Sequence, residues 1–260
     1  MSLSLKVWAE RLLWPAIGLG LAVLLWAWGA RYLSDVDAIR EAFGPAAGFS
    51  ALWRLLATGE LWTHMALSLQ RIGLSLLIAL LIGVPLGICI GLSQWFNKLT
   101  GMLFQFLRMV SPLSWMPLAV MALGVGESPV VFLLSFAAVW LIMLNTATGV
   151  ASLDKHWLQL AASLSATHWE LVTRIVLPGI VRHVLTGFRL ALGIGWIVLV
   201  PAEMLGVSAG MGYFILDTRD RLAYDELMAG IVVIGCLGFV LDWLARTASS
   251  RWVDAGARSA

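Results

Sequence analysis

Residues 152–183 read SLDKHWLQLAASLSATHWELVTRIVLPGIVRH and form the longest polar segment in the second half of the chain. Asp154 is well placed to cap a helix over residues 157–164, whose apolar residues recur at helical spacing. After a bend of small residues, a second amphipathic helix is predicted over residues 168–176. Pro178 is expected to end it, because proline lacks an N–H donor and disfavours helix in the residue before it. The segment therefore predicts two short helices that leave an apolar stripe for a partner.

The composition around this segment is that of a membrane protein. Of the 260 residues, 60% are hydrophobic and only 12% are charged, with a mean hydropathy of +0.90. Soluble domains are about 45–50% apolar and about 25% charged, so both departures indicate lipid as the solvent. The formal net charge of +2 and the lack of any basic run give no reason to expect a nucleic-acid partner.

Six apolar stretches are long enough to cross a bilayer, which takes about 20 residues of helix. They lack the alternation of a barrel strand, so an all-α transmembrane fold is predicted. Residues 1–260 are expected to form a single membrane domain with spans at about 13–30, 72–92, 102–125, 129–150, 185–205 and 227–244.

The distribution of lysine and arginine predicts the orientation of these spans. An even number of spans places both termini on one side, together with residues 93–100 and 152–183. That side carries nine basic residues, and the other carries five, or six with Arg71 at the boundary. The nine are Lys6, Arg11, Lys98, Lys155, Arg174, Arg182, Arg246, Arg251 and Arg258. Both termini and the polar segment are therefore expected to be cytoplasmic.

The polar segment resembles the EAA loop of ABC importer permeases, whose pattern is E-A-A-x3-G-x9-I-x-L-P. Ile175, Leu177 and Pro178 match the final element, and counting back places Ser165 at the glycine and residues 159–161 at E-A-A. Gln, Leu and Ser replace three of the family's residues, with the spacing kept throughout. The resemblance implies that the ATPase contact is made by Gln159, Leu160, Ala161, Ala162, Leu164, Ser165, Ala166, Ile175, Leu177 and Pro178.

Further stretches, at 195–204, 210–213 and 217–221, resemble the nitrate/sulfonate/taurine branch of that family. The resemblance implies a six-helix type I ABC importer permease fold with cytoplasmic coupling helices, in the bacterial inner membrane. The implied partners are two ABC ATPase subunits, a second permease copy, a periplasmic or lipid-anchored binding protein, and membrane lipid. The implied cargo is a small oxyanion such as nitrate, taurine or another sulfonate.

The chain contains no Walker A sequence, so ATP hydrolysis is expected on the partner subunits, which would hold the ATP and Mg²⁺. No cofactor, metal site or enzymatic activity is predicted for this chain. A secondary carrier would show inverted repeats, and none is visible. An intramembrane enzyme would need paired acids or a nucleophile at membrane depth, whereas a structural membrane subunit remains an alternative.

Two features inside the predicted spans are candidates for the translocation pathway or a gate. Glu203 would cost about 2.5–3.5 kcal/mol in the bilayer centre, so it should face a cavity or pair with a cation, with Arg108 and Arg189 nearest in depth. Both a gating role and a structural ion pair remain open. Pro112 and Pro117 should break the third span, either beside the pathway or as a packing kink. The candidate set is Arg108, Ser111, Pro112, Ser114, Trp115 and Glu203.

Overall fold

The computed structural model describes residues 2–32 and 37–257, without the side chains of residues 2–12, 15, 37–39, 155 and 250–257. Five of the nine basic residues that predict the orientation have side chains outside this description, namely Lys6, Arg11, Lys155, Arg251 and Arg258. The cytoplasmic placement of both termini therefore stays a prediction.

Every regular element within these described ranges is helical, which confirms the all-α class. In chain order they are α1 (Ser2–Tyr32), α2 (Asp37–Ala42), α3 (Pro45–Thr58), α4 (Glu60–Leu92), α5 (Gln94–Met109), a 3₁₀ turn (Pro112–Trp115), α6 (Met116–Leu123), α7 (Glu127–Ala151), α8 (Lys155–Ser163), α9 (His168–Glu170), a π-helical turn (Leu171–Val176), α10 (Leu177–Gly206), α11 (Met211–Asp220) and α12 (Tyr224–Ala257). The residues between the predicted spans 185–205 and 227–244 thus contain the helix α11.

Within the part of the chain that the structure describes, four helical stretches are long and apolar enough to cross a membrane: Glu60–Leu92, Glu127–Ala151, His168–Gly206 and Tyr224–Ser249. The pair Gln94–Met109 and Pro112–Leu123 makes a fifth if its 90° bend lies within one span. The bend follows from Pro112, because a residue before proline is pushed to extended backbone, and Ser111 has ψ 128°. In α1 the apolar stretch Ala16–Tyr32 is shorter. The count of six spans stays a prediction.

The chain divides into two compact units. The first consists of Met1–Trp62 and Phe214–Ile234. Within it, Trp26 Nε1 donates to the carbonyl oxygen of Phe43 at 2.8 Å, and Arg54 Nη2 lies 3.2 Å and 3.0 Å from carboxylate oxygens of Asp225 and Glu226. These contacts join α1 to the segment after α2, and α3 to the start of α12.

The second unit, Thr63–Tyr213 with Gly235–Ala260, is built around α7. One side of α7 meets Gly83, Gly87 and Gly91 of α4, and a neighbouring side meets Gly187 of α10. A Cβ at Gly187 would lie 3.1 Å from Ile142 Cα, so the two helices touch backbone to backbone. Small residues permit this approach, which is how membrane helices associate without a hydrophobic driving force. The packing makes α7 the central element that positions both candidate sites.

Candidate functional site

The polar segment follows α7 directly and contains α8, α9, the π-helical turn and the first residues of α10. Helix α8 begins at Lys155, and the Asp154 carboxylate accepts the backbone N–H of His156 at 2.9 Å, which confirms the predicted cap. Helix α8 ends at Ser163, one residue before the predicted end.

The bend after α8 is a Schellman motif. The N–H of Ala166 donates to the carbonyl of Ala161 at 3.0 Å, and the N–H of Ser165 donates to that of Ala162 at 3.1 Å. Ser165 has φ +53°, the left-handed conformation that this position of the motif usually assigns to glycine. The resemblance places Ser165 at the glycine of the EAA pattern, so the motif supplies a physical reason for that glycine.

Replacing Ser165 with glycine is expected to stabilise the chain by about 0.5–1 kcal/mol, because a side chain in left-handed backbone costs about 1–2 kcal/mol. The measurement is the thermal unfolding midpoint in detergent. The matched control is Ser163→Gly, in the helical part of α8, where glycine should destabilise by about 0.5–1 kcal/mol. Equal destabilisation by both changes would contradict the assignment of strain to Ser165.

The prediction that Pro178 ends the second helix is wrong. A capping box stabilises the start of α9. Thr167 Oγ1 accepts the N–H of Glu170, and Glu170 Oε2 accepts the N–H of Thr167. The chain then passes through the π-helical turn, where the N–H of Leu177 donates to the carbonyl of Val172, and continues into α10. The wider π turn accommodates proline, whose ring would otherwise meet the carbonyl four residues earlier.

The inner side of the segment packs against other helices of the second unit. Val176 and Ile180 are fully buried against Val150 and Ile88 near the ends of α7 and α4. A Cβ at Gly179 would meet Leu153 Cδ2 at 2.5 Å, so the start of α10 lies directly on the segment that follows α7. The end of the segment is therefore packed directly against α4, α7 and the residues that follow α7.

The outer side of the segment is apolar and exposed. Its large side chains are Trp157, Leu160, Leu164 and Trp169, which are 49–76% exposed. We call these four residues the apolar docking face. Of the residues predicted at the ATPase contact, Ala161 is buried, Ala166 and Ile175 are half-buried, and Gln159, Leu160, Ala162, Leu164, Ser165, Leu177 and Pro178 are exposed.

A second polar site lies inside the same unit, around Glu203. This carboxylate is fully buried, and Arg71 Nη1 donates to its Oε1 at 2.6 Å. Ser68 Oγ lies 2.8 Å and 2.9 Å from its two oxygens, and the N–H of Gly212 donates to Oε2 at 2.8 Å. The Glu203 carboxylate is therefore surrounded by one guanidinium, one hydroxyl and one backbone N–H.

Arg71 joins this site to two further elements. Its Nε and Nη2 donate to the two oxygens of Glu127 at 2.7 Å each, a bidentate pair, and its Nη1 also donates to the carbonyl of Ala209 at 2.7 Å. A Cβ at Gly210 would lie 2.6 Å from Glu203, so the loop after α10 must present glycine there. Arg71 thus fixes α4, the start of α7 and the end of α10 in one arrangement.

The predicted partners of Glu203 were wrong. Arg108 donates to Gln105 Oε1 at 3.0 Å, and Arg189 Nε donates to Asp242 at 2.9 Å. Arg71 was placed at the edge of the span 72–92, whereas α4 begins at Glu60 and carries Arg71 eleven residues inside the helix. A span predicted from hydropathy stops at the first charged residue, so it could not show that α4 extends beyond Arg71 to Glu60. Gly212 lies in the stretch 210–213 that resembles the nitrate/sulfonate/taurine branch, but nothing in the sequence linked it, Ser68 or Glu127 to Glu203.

The remaining pathway candidates lie at the bend between α5 and α6. Ser111 and Ser114 are exposed, and Arg108 is exposed at the last turn of α5. Pro112 starts the 3₁₀ turn, and Trp115 packs on Phe136 of α7 with ring centroids 5.5 Å apart. These five residues are close together in the chain fold, while Glu203 is engaged in the Arg71 site.

The sequence matches the family described as the binding-protein-dependent transport system inner membrane component over residues 83–254, which is more than half of the chain. The chain belongs to this family. The matched range contains α5, α7, the docking face and Glu203. Arg71 and Ser68, the partners of Glu203 on α4, lie before the matched range.

Several curated relatives of this inner membrane component are transport permeases. It is 36% identical to the taurine transport system permease TauC of Escherichia coli, over 70% of this chain and 66% of that protein. It is 34% identical to the bicarbonate transport system permease CmpB of Synechococcus elongatus, over 74% and 70%. It is 33% identical to the nitrate import permease NrtB of Leptolyngbya laminosa, over 75% and 70%. The chain spans about two thirds of these relatives' lengths.

The fold of this inner membrane component is also found in a solved structure. A chain of a bacterial ABC transporter involved in the import of the acidic polysaccharide alginate superposes with a TM-score of 0.66 at 17% identity, covering 96% of this chain and 93% of that one. The likeness confirms the type I ABC importer permease fold expected from the sequence.

Proposed function

We propose that this chain is the permease subunit of an ATP-driven importer, in which two copies form the pathway for a small oxyanion. Two ATPase subunits would bind the apolar docking face, and a binding protein would deliver the substrate. The observation that carries the proposal is the two-sided build of the polar segment. Its inner residues pack against α4 and α7, while four large apolar side chains on its outer side are exposed.

An exposed apolar face on an otherwise polar segment is typical of a partner site. Helix-in-groove docking uses an amphipathic helix of this kind, with anchors one turn apart. When the ATPases close on ATP, they would push on α8, and Val176 and Ile180 would pass the movement to the core. The pathway between two copies would then alternate its access between the two sides of the membrane.

Replacing Leu164 with glutamate is expected to reduce the ATPase retained on purification by more than tenfold, because a charge would be buried in an apolar contact at a cost of about 2 kcal/mol or more. The matched control is Leu222→Glu. Leu222 has a similar exposure, 67% against 73% for Leu164, and lies outside the segment. The measurement is the molar ratio of ATPase to permease after affinity purification of the co-expressed complex.

Equal ATPase retention by both variants would contradict the docking face. Uptake of nitrate, taurine or bicarbonate by the chain alone, without ATPase or ATP, would contradict the importer itself and favour a secondary carrier.

The oxyanion class is supported by the relatives, whose names specify taurine, bicarbonate and nitrate transport. Bicarbonate was not among the substrates suggested by the sequence motifs. The substrate would be identified by calorimetry on the cognate binding protein against nitrate, taurine, bicarbonate and alkanesulfonates. Binding of a cation or a neutral sugar in place of these anions would contradict the proposed class.

A further inference from the structure

One side of α5 is polar along its whole length. The six residues on it are spaced i, i+3, i+4, i+7, i+11 and i+14, which places them on a single helix face. They are Gln94, Asn97, Lys98, Gly101, Gln105 and Arg108. Gly101 is half-buried, and the other five are exposed. We call this set the polar stripe.

The other two sides of α5 are apolar and have different surroundings. Phe96, Phe104 and Leu107 pack against the core cluster that contains Trp140 and Ile142 of α7. A second apolar side, formed by Trp95, Leu99, Met102, Leu103 and Phe106, is exposed and suited to lipid. A helix with one protein side, one lipid side and one polar side differs from a surface helix with only two.

The polar stripe reaches the middle of the second unit. Helix α5 starts just after Gly91, whose Cβ would meet Val150 near the end of α7. Phe104 is ten residues after Gln94, the first residue of α5, and its ring centroid lies 5.7 Å from that of Trp140. Ten residues of helix rise about 15 Å, and Val150 to Trp140 is also ten residues. Helix α5 therefore runs alongside α7 and does not lie across its end.

This depth determines what can face the stripe. Arg108 is fourteen residues from the start of α5, about 21 Å along the helix, and a bilayer core is about 30 Å thick. A cation at that depth costs several kcal/mol unless it faces water or a polar partner. Among the described residues, neither Lys98 nor Arg108 forms an ion pair, and Arg108 bonds only to Gln105 of its own helix.

The charge of the stripe has one sign. The chain has no aspartate or glutamate between Glu60 and Glu127, so no carboxylate in this whole stretch offsets Lys98 and Arg108. The side chains that line the stripe are rich in N–H donors, since lysine carries three, arginine five and each amide two. Basic side chains with amide donors are the usual lining of anion-conducting pores.

We infer that the polar stripe lines the water-filled pathway. It guides a small anion from the bend at Ser111 to the start of α5 at Gln94, beside the polar segment. Arg108 attracts the anion at mid-depth, with Gln105 holding its guanidinium in place through the 3.0 Å hydrogen bond. Asn97 and Gln105 offer amide N–H groups between the two cations, so the anion exchanges its hydration shell in steps. This inference rests on the proposed function and assigns residues that determine its charge selectivity.

The test measures water access and local potential, without requiring transport. Single cysteines are placed at Asn97 and Gln105 on the stripe, and at Leu99 and Phe106 on the lipid side, in a Cys89→Ala/Cys236→Ala background. Both native cysteines are exposed and must be removed. Whole-cell membranes are treated with anionic sulfonatoethyl methanethiosulfonate or cationic trimethylammonioethyl methanethiosulfonate, and rates are expressed relative to those with a free thiol.

Cysteines at 97 and 105 are expected to react, while those at 99 and 106 stay unmodified. At 97 and 105 the anionic reagent should be favoured, and adding Lys98→Gln with Arg108→Gln should lower that preference by about tenfold. Equal reaction on both sides of α5, no reaction on the stripe, or an anion preference that survives loss of both cations would overturn the inference.

The two proposals fail separately in these experiments. Loss of the anion preference leaves ATPase retention on the docking face unchanged, so the importer would stand with a different pathway lining. Loss of ATPase binding in the wild-type chain with the labelling pattern intact would refute the importer and leave the stripe as an anion-accessible surface.

Discussion

Replacing Arg71 with methionine is expected to destabilise the folded chain by about 3–5 kcal/mol, because Glu203 is left buried without its cation. Arg71 is 2% exposed and Glu203 is fully buried, so water cannot compensate. A loss of this size is a large part of the 5–15 kcal/mol that stabilises a typical protein. The measurement is the thermal midpoint and the fraction of monodisperse protein in size-exclusion chromatography after extraction.

Two further variants separate the buried charge from simple loss of packing. Arg71→Met combined with Glu203→Gln should recover most of the stability, because the amide oxygen still accepts from Ser68 and Gly212 without carrying charge. Arg189→Met, which breaks the half-exposed pair with Asp242, should cost no more than about 1 kcal/mol.

These variants also bear on the two roles left open for Glu203. If the ion pair is structural, Glu203→Gln by itself should lower stability and leave the uptake rate per folded complex near that of the wild type. Normal stability with abolished uptake would instead assign Glu203 to the pathway. An Arg71→Met variant as stable as Arg189→Met would contradict the structural account of the pair.

Replacing Gly87 with alanine is expected to destabilise the chain by about 1–3 kcal/mol, and replacement with leucine should prevent folding. A Cβ at this position would lie 2.5 Å from the Met143 carbonyl oxygen and 2.6 Å from Thr146 Cβ, so α4 and α7 would have to separate. Separation would also disturb the close contact that α7 makes with Gly187 of α10. The measurement is again the thermal midpoint in detergent.

The same helix provides the matched control. Gly73 of α4 has no atom within 4 Å of a Cβ added there, so Gly73→Ala should stabilise the chain by about 0.5–1 kcal/mol through helix propensity. Opposite signs for the two glycine-to-alanine changes are the expected result. Destabilisation by both, or by neither, would contradict the close crossing of α4 and α7.

The features that the sequence predicted correctly depend on local spacing. The cap at Asp154, the bend after α8 and the proline break after Met109 each follow from a few adjacent residues, and the structure contains all three. The EAA spacing survives the loss of its glycine because the Schellman hydrogen bonds are made by the backbone. A serine can therefore occupy Ser165 at a modest cost in strain.

The wrong or incomplete predictions share a cause: each used single residues or an average over a window, whereas the structure depends on how whole helices bend and pack. The continuation of α10 through Pro178 depends on a π turn, which a rule based on single residues does not anticipate. The polar stripe of α5 was seen only as Arg108 near two prolines, because hydropathy averages over a helix and hides a face. Inferring that the stripe lines a pathway required the position of α5 along α7, which the Phe104–Trp140 contact provides.

By itself, the sequence determined that the chain is a helical membrane protein whose polar segment resembles the EAA loop of importer permeases, since composition and residue spacing are local properties. The structure decided which charges meet. Arg71, Glu127 and Glu203 are separated by up to 132 positions and come together only because α4, α7 and α10 pack through glycines. The docking face could likewise be identified only from the structure. The sequence shows which residues of the segment are apolar, but not which of them are buried in the core and which are exposed.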